Sequence, residues 1–200
     1  NGKISLKKKN SAEHGVDVDL VLLEKKWQTQ KLSRKKDLLA RAVGAEEGLR
    51  VCDLTLGLAG DSSKFCYWGC HVTGFEENPL ISFLVRDALY RFSQQTQREY
   101  PLQLHCESFQ KSLTQTIDKN DVFYLDPMYA HRRTALPRKE MQYVAAVTTP
   151  SEETSLWEAC QPILSLKKKL VVKRAPQSPH LGPRPSRVFE GKMVRFDVYG

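Results

Sequence analysis

Residues 122–131, Val-Phe-Tyr-Leu-Asp-Pro-Met-Tyr-Ala-His, combine a hydrophobic run with side chains that can take part in chemistry. The unbroken run of residues 122–125 predicts a short strand that is buried on both faces. Pro127 lacks an amide hydrogen and has a fixed φ, so it ends the strand and holds a rigid turn at the carboxyl end. Asp126 and Tyr129 would then offer a carboxylate and an aromatic ring to a flat ligand with an amino group, such as a nucleobase. The plainer interpretation is a simple turn, because Asp-Pro commonly follows a strand.

The elements that position this stretch alternate between strands and helices. Five segments predict strands: Leu49–Leu54, His71–Phe75, Leu102–Cys106, Asp121–Asp126 and Leu170–Lys173. Helices are predicted at about Ser62–Trp68, Asn78–Gln95, Glu107–Ile117 and Ser151–Leu164, and an earlier one is capped by Ser33 and ended by Gly44. Ser186–Phe189 and Met193–Tyr199 predict a closing antiparallel hairpin. The alternation predicts an α/β fold, a mostly parallel seven-stranded sheet with helices on both faces.

The amino-terminal residues have a different character from the rest of the chain. Residues 7–9 are three lysines, which indicate a mobile basic arm. Val16, Val18, Leu20 and Leu22 then alternate with other residues, as in a half-buried strand, so that a hairpin or flap is expected. We therefore divide the chain into a basic amino-terminal arm or flap, residues 1–32, and one domain, residues 33–200.

The composition indicates the class of partner. The formal net charge is +8 and the pI is near 9.3, which favours a polyanion, and the basic residues cluster in Lys3–Lys36, Arg132–Lys139, Lys167–Arg174 and Arg184–Arg195. No run approaches the roughly 18 apolar residues that cross a bilayer, and the amino end has no apolar signal core. The five cysteines favour free thiols. A cytoplasmic protein without a membrane or metal partner is expected.

A second part of the sequence has the features of a cofactor site. A strand that ends in Asp53, a glycine-bearing turn and a helix suit a charged adenosine cofactor. Glu76 ends the next strand, where a carboxylate can accept hydrogen bonds from both ribose hydroxyls of NAD or S-adenosylmethionine. Residues 57–60, Gly-Leu-Ala-Gly, lack the middle glycine of the dinucleotide fingerprint. Asp61 either faces the ammonium of a methionine moiety or caps the next helix.

Seven motifs resemble, in order and spacing, those of one known family. They are residues 53–61 (Asp-Leu-Thr-Leu-Gly-Leu-Ala-Gly-Asp), 75–79 (Phe-Glu-Glu-Asn-Pro), 105–108 (His-Cys-Glu-Ser), 124–129 (Tyr-Leu-Asp-Pro-Met-Tyr), 138–141 (Arg-Lys-Glu-Met), 171–174 (Val-Val-Lys-Arg) and 195–199 (Arg-Phe-Asp-Val-Tyr). The sequence resembles the RsmJ family, bacterial S-adenosylmethionine-dependent methyltransferases that modify a guanine N2 in small-subunit (16S) ribosomal RNA. The resemblance runs from about Arg41 to Gly200 and implies a Rossmann-like class I methyltransferase fold.

The resemblance, together with the glycine turn, gives a set of cofactor contacts. They are Asp53, Gly57, Gly60, Asp61, Glu76, Glu77, Glu107, Ser108 and Asp126. The family usually has Gly-Leu-Gly-Arg-Asp at residues 57–61, Glu-Arg at 76–77 and Ser-Ser at 107–108. This chain therefore lacks an arginine in the turn and is more acidic at two cofactor-side positions.

The resemblance also implies a reaction. The Asp126 carboxylate or the Pro127 carbonyl would accept hydrogens from the guanine amine, while Tyr129 stacks on an unpaired or flipped base. Five basic residues are expected to contact RNA phosphates: Arg132, Arg133, Arg138, Lys173 and Arg174. The partner would be ribosomal RNA or the small ribosomal subunit. The competing interpretations are an adenine-N6 methyltransferase acting on DNA or RNA, a non-catalytic RNA-binding protein on a methyltransferase scaffold and, more distantly, a nicotinamide dehydrogenase.

Overall fold

Seven strands form the centre of the molecule in a computed structural model that describes residues 2–7, 15–127, 142, 145–148 and 152–200. The strands are β1 Arg50–Asp53, β2 His71–Phe75, β3 Leu102–His105, β4 Val122–Leu125, β5 Lys169–Arg174, β6 Arg187–Glu190 and β7 Arg195–Tyr199. They lie in one sheet in the order β3-β2-β1-β4-β5-β7-β6.

The sheet is parallel except for its last two strands. Val51 of β1 lies opposite Val72 of β2 and Val122 of β4, and β4 continues in parallel register to β5. β7 runs antiparallel to β5 and pairs with β6 as a hairpin. The order of the strands reverses between β1 and β4, and the crevice at the carboxyl ends of such a pair is where ligands bind in α/β sheets. The predicted fold class is confirmed.

Helices cover both faces of the sheet. They are α1 Leu20–Thr29, α2 Leu38–Val43, α3 Gly60–Tyr67, α4 Pro79–Thr96, α5 Phe109–Thr116, α6 Glu153–Ala159 and α7 Gln161–Ser165, with one 3-10 turn at Ile117–Lys119. The first four pack against one face, and the last three against the other. Strand β4 contributes Val122 and Tyr124 to the first core, and Phe123 and Leu125 to the second, so it is buried on both faces as predicted. No helix in the described parts of the chain has the length and apolar character needed to cross a membrane.

The ends of the helices follow local chemistry, and two predictions about them are wrong. Asn78 caps α4 as predicted, and Gly44, with a φ of 77°, ends α2 as predicted. The cap of α2, however, is Asp37 rather than Ser33, because the Asp37 carboxylate accepts hydrogen bonds from two backbone N–H groups of the first turn. The single helix predicted for residues 151–164 is instead two short helices. Pro162 explains the break, since its ring clashes with the preceding turn of a helix.

The amino-terminal segment packs on the domain. The half-buried strand predicted for residues 16–22 is wrong, because α1 begins at Leu20 behind the Asp19 cap. An isolated antiparallel bridge joins Leu6 to Val16. Val18 and Leu20 belong to the same hydrophobic core as the helices of that face. The boundary at residue 32 stays a prediction, although the described residues before it share this core.

All five cysteines are free thiols, as predicted. Four of them are buried, and only Cys106 is exposed. Burial raises the pKa of Cys70 to about 11 and that of Cys160 to about 12, so both thiols stay protonated near neutral pH. These buried thiols therefore act as small apolar core groups.

Candidate active site

The carboxyl ends of the parallel strands open into one cleft of about 910 Å³. This volume lies within the roughly 300 to 1,000 Å³ that small-molecule sites occupy. All nine predicted cofactor contacts line the cleft: Asp53, Gly57, Gly60, Asp61, Glu76, Glu77, Glu107, Ser108 and Asp126. The chain segments that carry them are far apart in sequence and meet because parallel strands end at the same edge of the sheet.

Asp53 organises the turn after β1. Its carboxylate accepts a hydrogen bond of 2.6 Å from the Ser62 hydroxyl and one of 3.1 Å from the Thr55 N–H, which ties the end of the strand to helix α3. Burial raises the pKa of Asp53 to about 7, and these two bonds offset only part of that effect. The turn also needs unusual backbone conformations, since Gly57 and Ala59 have φ values of 54° and 58°.

Glu76 joins this turn to the end of β2. One carboxylate oxygen accepts the Gly57 N–H at 2.9 Å, and the other accepts the Asn78 N–H at 2.7 Å. Burial raises the pKa of Glu76 above its ordinary value, and the two hydrogen bonds act in the opposite direction. A carboxylate oxygen has two lone pairs, so both oxygens keep the capacity to accept a further hydroxyl from the cleft.

Lys173 links the two sides of the cleft. Its ammonium nitrogen lies 2.7 Å from Asp61 Oδ2 on α3 and 2.8 Å from Asp126 Oδ2 after β4. The Tyr124 hydroxyl donates to the same oxygen of Asp61, and Lys64 pairs with its other oxygen at 3.1 Å. Asp61 therefore does not cap α3, and its carboxylate serves as the acceptor for three side chains.

The charges in this group support one another. Burial acts to raise the pKa of Asp61, but Lys173, Lys64 and the Tyr124 hydroxyl outweigh it and hold that pKa well below the usual range. Burial likewise acts to lower the pKa of Lys173, but the carboxylates of Asp126 and Asp61 outweigh it and raise the pKa. At neutral pH the ammonium thus stays charged between two carboxylates.

Asp126 lies at the cleft, at the position predicted from its strand. Its backbone N–H donates to the Thr55 hydroxyl at 2.7 Å, so the turn after β1 also fixes the end of β4. Pro127 lines the same cleft. The other predicted catalytic residue, Tyr129, lies outside the described residues, as do the three predicted RNA contacts Arg132, Arg133 and Arg138.

The structure describes two of the predicted RNA contacts, and one of them needs correction. Lys173 lines the cleft, where its ammonium pairs with Asp61 and Asp126 while its side chain stays 30% exposed, so its contact with RNA stays a prediction. Arg174 is buried, with 1% of its surface exposed, and its guanidinium pairs with Glu153 at 3.1 Å. Successive residues of a strand point to opposite faces, so Arg174 turns into the second core while Lys173 faces the cleft.

Sequence reasoning missed several residues of the cleft wall. Leu23, Lys26 and Trp27 of α1 line it, and Lys64 and Tyr124 support Asp61. The Trp27 indole donates to the Ser63 hydroxyl at 3.0 Å, which fixes α1 against α3. Lys64 could have been found from its i,i+3 spacing to Asp61 on a helix. The contribution of α1 could not, because residues 16–22 predict a strand and the residues after them, up to 32, are assigned only to a basic arm.

Comparisons with known proteins agree with this geometry. The family profile described as "Putative SAM-dependent methyltransferase" matches residues 1–200. The chain is 33% identical over 195 residues to the ribosomal RNA small subunit methyltransferase J of Thioalkalivibrio sulfidiphilus, with 92% of this chain and 75% of that protein covered. It is 38% identical over 173 residues to the protein of the same name from Marinobacter nauticus, with 81% of this chain and 61% of that protein covered. Both relatives are therefore longer than the chain.

A solved structure supports the same conclusion. The SAM-dependent methyltransferase NGO1261 of Neisseria gonorrhoeae superposes with a TM-score of 0.73 at 26% identity, with 96% of this chain and 77% of that one covered. The fold, the cleft and the family profile thus define the chain as an S-adenosylmethionine-dependent methyltransferase. More particularly, it belongs to the ribosomal RNA small subunit methyltransferase J family, as its motifs indicated.

The residues of the cleft fit S-adenosylmethionine. The cofactor carries an ammonium, a sulfonium and two ribose hydroxyls, and the cleft presents Glu76 at the end of β2 and Asp61 at the start of α3. A Cβ atom added to Gly57 or Gly60 would meet no atom within 4 Å, so the backbone of the turn is open to a ligand. Glu76 suits the ribose hydroxyls, whereas both oxygens of Asp61 already accept hydrogen bonds from protein side chains.

Proposed function

We propose that the chain transfers a methyl group from S-adenosylmethionine to the exocyclic N2 of a guanine in small-subunit ribosomal RNA. The names of the relatives support the RNA class, since both are ribosomal RNA small subunit methyltransferases. The carboxylate of Asp126 at the end of β4 supports an amine as the group that receives the methyl. The single observation that carries the proposal is the position of Asp126, in the cleft and in contact with Lys173.

The chain's own groups have a defined task in this reaction. The bound cofactor supplies an electrophilic methyl group, and the lone pair of the guanine amine is delocalised into the ring, which makes the amine a poor nucleophile. Asp126 can accept a hydrogen of the amine and so localise that pair, and the Pro127 carbonyl can accept the other. Two contacts hold Asp126 in place for this role. Lys173 pairs with its carboxylate, and the Thr55 hydroxyl accepts a hydrogen bond from its backbone N–H.

The base must leave its stack to reach Asp126, because a paired guanine hides its N2 in the minor groove. Tyr129, two residues after Pro127, is proposed to stack on the extruded base, an interaction worth roughly 1 to 3 kcal/mol. Arg132, Arg133 and Arg138 follow in the same segment and are proposed to contact phosphates on either side of the base. These four roles rest on their place in the sequence next to Asp126.

The reaction is tested with small ribosomal subunits from cells that lack this protein. The subunits are incubated with labelled S-adenosylmethionine, and the RNA is digested to nucleosides. We expect N2-methylguanosine from the wild type and none from Asp126→Ala. Asp118→Asn is the matched control, because this exposed carboxylate lies at the opposite edge of the sheet, just before β4.

The products separate the competing functions. N6-methyladenosine would replace the proposal with an adenine methyltransferase. RNA binding without cofactor binding in calorimetry would indicate a non-catalytic RNA-binding protein. Full turnover by a folded Asp126→Ala variant would remove Asp126 from the chemistry.

A further inference from the structure

Residues 25–36, named here the basic segment, cover the end of α1 and the connection to α2. The segment contains six cations and no acidic residue: Lys25, Lys26, Lys31, Arg34, Lys35 and Lys36. All six are exposed. Such a density of one charge is unfavourable for the isolated fold, because like charges repel, and it therefore indicates an anionic partner.

The charge of the basic segment is not neutralised by the described parts of the molecule. Arginines elsewhere have carboxylate partners, such as Asp121 for Arg50 and Asp87 for Arg91. Glu24, just before the segment, pairs with Arg98 at 2.9 Å. Asp37, just after it, is engaged in capping α2. None of the six cations forms an ion pair within the described ranges, so their charge remains available to a ligand.

The two ends of the basic segment lie near the edge of the sheet where the cleft opens, while in its middle the Leu32 carbonyl accepts a hydrogen bond from the Trp68 indole at the end of α3. Lys26 and Trp27 line the cleft together with Asp126, and the Lys26 ammonium lies 4.5 Å from the centre of the Trp27 ring. At its other end, the segment leads into Leu38, which lies against Gly191 in the turn of the β6–β7 hairpin. That turn lies at the carboxyl end of β5, because Arg195, the first residue of β7, pairs with Arg174, the last residue of β5.

The composition of this surface favours nucleic acid over protein. Interfaces between proteins have an apolar centre, whereas none of the large exposed hydrophobic side chains of the described residues falls within the basic segment. Contacts to phosphates need only cations and polar groups. We propose that the basic segment is the surface along which the phosphate backbone of the substrate RNA lies as the target base enters the cleft. This inference rests on the proposed function, because it takes RNA as the substrate.

Two double variants with the same change in charge test the inference. The first is Lys35→Gln with Lys36→Gln in the basic segment. The control is Lys119→Gln with Lys167→Gln, two exposed lysines that precede β4 and β5 and so lie at the opposite edge of the sheet. Neither pair belongs to the catalytic group, and both remove two positive charges from the whole molecule.

Binding to protein-free small-subunit ribosomal RNA is measured over a range of salt concentrations. For two lost phosphate contacts we expect the slope of log K against log salt to fall by roughly 1.4 to 1.8 in the segment variant, and the affinity at about 0.1 M salt to fall roughly 25- to 60-fold. The control should keep the wild-type slope. Methyl transfer by the segment variant should show a raised KM for RNA with kcat unchanged, because the lost contacts act on binding alone.

The outcomes separate this inference from the proposed reaction. Equal slopes for the two double variants would overturn the inference, even if the wild type forms N2-methylguanosine. A reduced slope in the segment variant alone would support it, even if the wild type forms no such product. Loss of binding to vesicles of anionic lipid, with RNA binding unchanged, would also overturn it and assign the surface to a membrane.

Discussion

Lys173→Met is the perturbation that tests the site most directly. Methionine keeps much of the lysine volume and removes the charge, so the effect is mainly electrostatic. In the wild type the ammonium lies 2.7 Å from Asp61 and 2.8 Å from Asp126. Without it, the two carboxylates lose the cation that they share, although Lys64 still pairs with Asp61.

The size of the effect follows from Coulomb's law. Two unit charges roughly 5 Å apart repel by about 3 kcal/mol at an effective dielectric constant of about 20. The Asp126 side chain is 36% exposed, so solvent screens part of this repulsion. We therefore expect the free energy of unfolding at pH 7 to fall by about 1 to 2 kcal/mol.

The loss should depend on pH in a defined direction. In the wild type the pKa of Asp61 is held low, so its contribution is present above about pH 4, the ordinary value of a free Asp, and is lost only below it. In Lys173→Met, repulsion raises the pKa values of the pair, and one carboxylate takes up a proton as the pH falls from 7 towards 4. The difference in stability between variant and wild type should therefore shrink over that range. Denaturant titrations at several pH values measure it.

Activity should fall more than stability. Displacement of a catalytic group by about 1 Å can cost roughly 100-fold in rate, and Asp126 loses one contact that holds its carboxylate. We expect a decrease of that order in single-turnover methyl transfer, with much of it restored in Lys173→Arg. Loss of the cation also makes both carboxylates better proton acceptors. An unchanged or faster rate in Lys173→Met would therefore refute the argument that placement of Asp126 limits the reaction.

Three further predictions concern other carboxylates and the buried arginine. Because the pKa of Asp53 is about 7, the folded state holds a proton between about pH 4 and 7 that the unfolded state has released. The free energy of unfolding should therefore fall as the pH rises through that range. Asp53→Asn should flatten this pH profile, as measured by thermal unfolding. Glu76→Gln should weaken S-adenosylmethionine binding roughly 10-fold or more in calorimetry, because the single oxygen of an amide cannot accept hydrogen bonds from both backbone N–H groups and the ribose. The control Asp118→Asn should leave this affinity unchanged. Arg174→Met should lower the free energy of unfolding by about 1 to 3 kcal/mol and leave the salt dependence of RNA binding unchanged, and a reduced slope would show that Arg174 reaches phosphate after all.

The sheet and the acidic side of the cleft could be predicted because their signals are local. An apolar run followed by Asp126-Pro127, or by Glu76, marks the end of a strand, and parallel strands bring such ends to one edge. Asn78-Pro79 likewise defines the start of α4 from two adjacent residues. Each of these predictions needed only a few neighbouring residues and one rule of topology.

The errors arise where the decisive partner is distant or where two patterns coincide. The alternating apolar residues 16–22 have the period of a strand, but the Asp19 cap and the hydrogen bond from Trp27 to Ser63 favour a helix from Leu20 onward. Arg174 was interpreted as a surface cation because its partner Glu153 lies on a different element, 21 residues earlier. No local pattern distinguishes a cation that is paired in the core from one that meets solvent.

The difference between paired and unpaired charges also explains how one cleft can bind both a cationic cofactor and an anionic substrate. Burial brings the pKa of Asp53 to about 7, so this carboxylate carries only part of a charge near neutral pH. Lys173, by contrast, keeps Asp61 ionised and offsets part of the negative charge of Asp126. Part of the negative charge of the cleft is thereby offset, and Lys26 adds a cation to the cleft wall. An anionic chain that reaches the cleft beside Lys26 therefore meets two carboxylates, those of Asp61 and Asp126, that are already paired with ammonium groups.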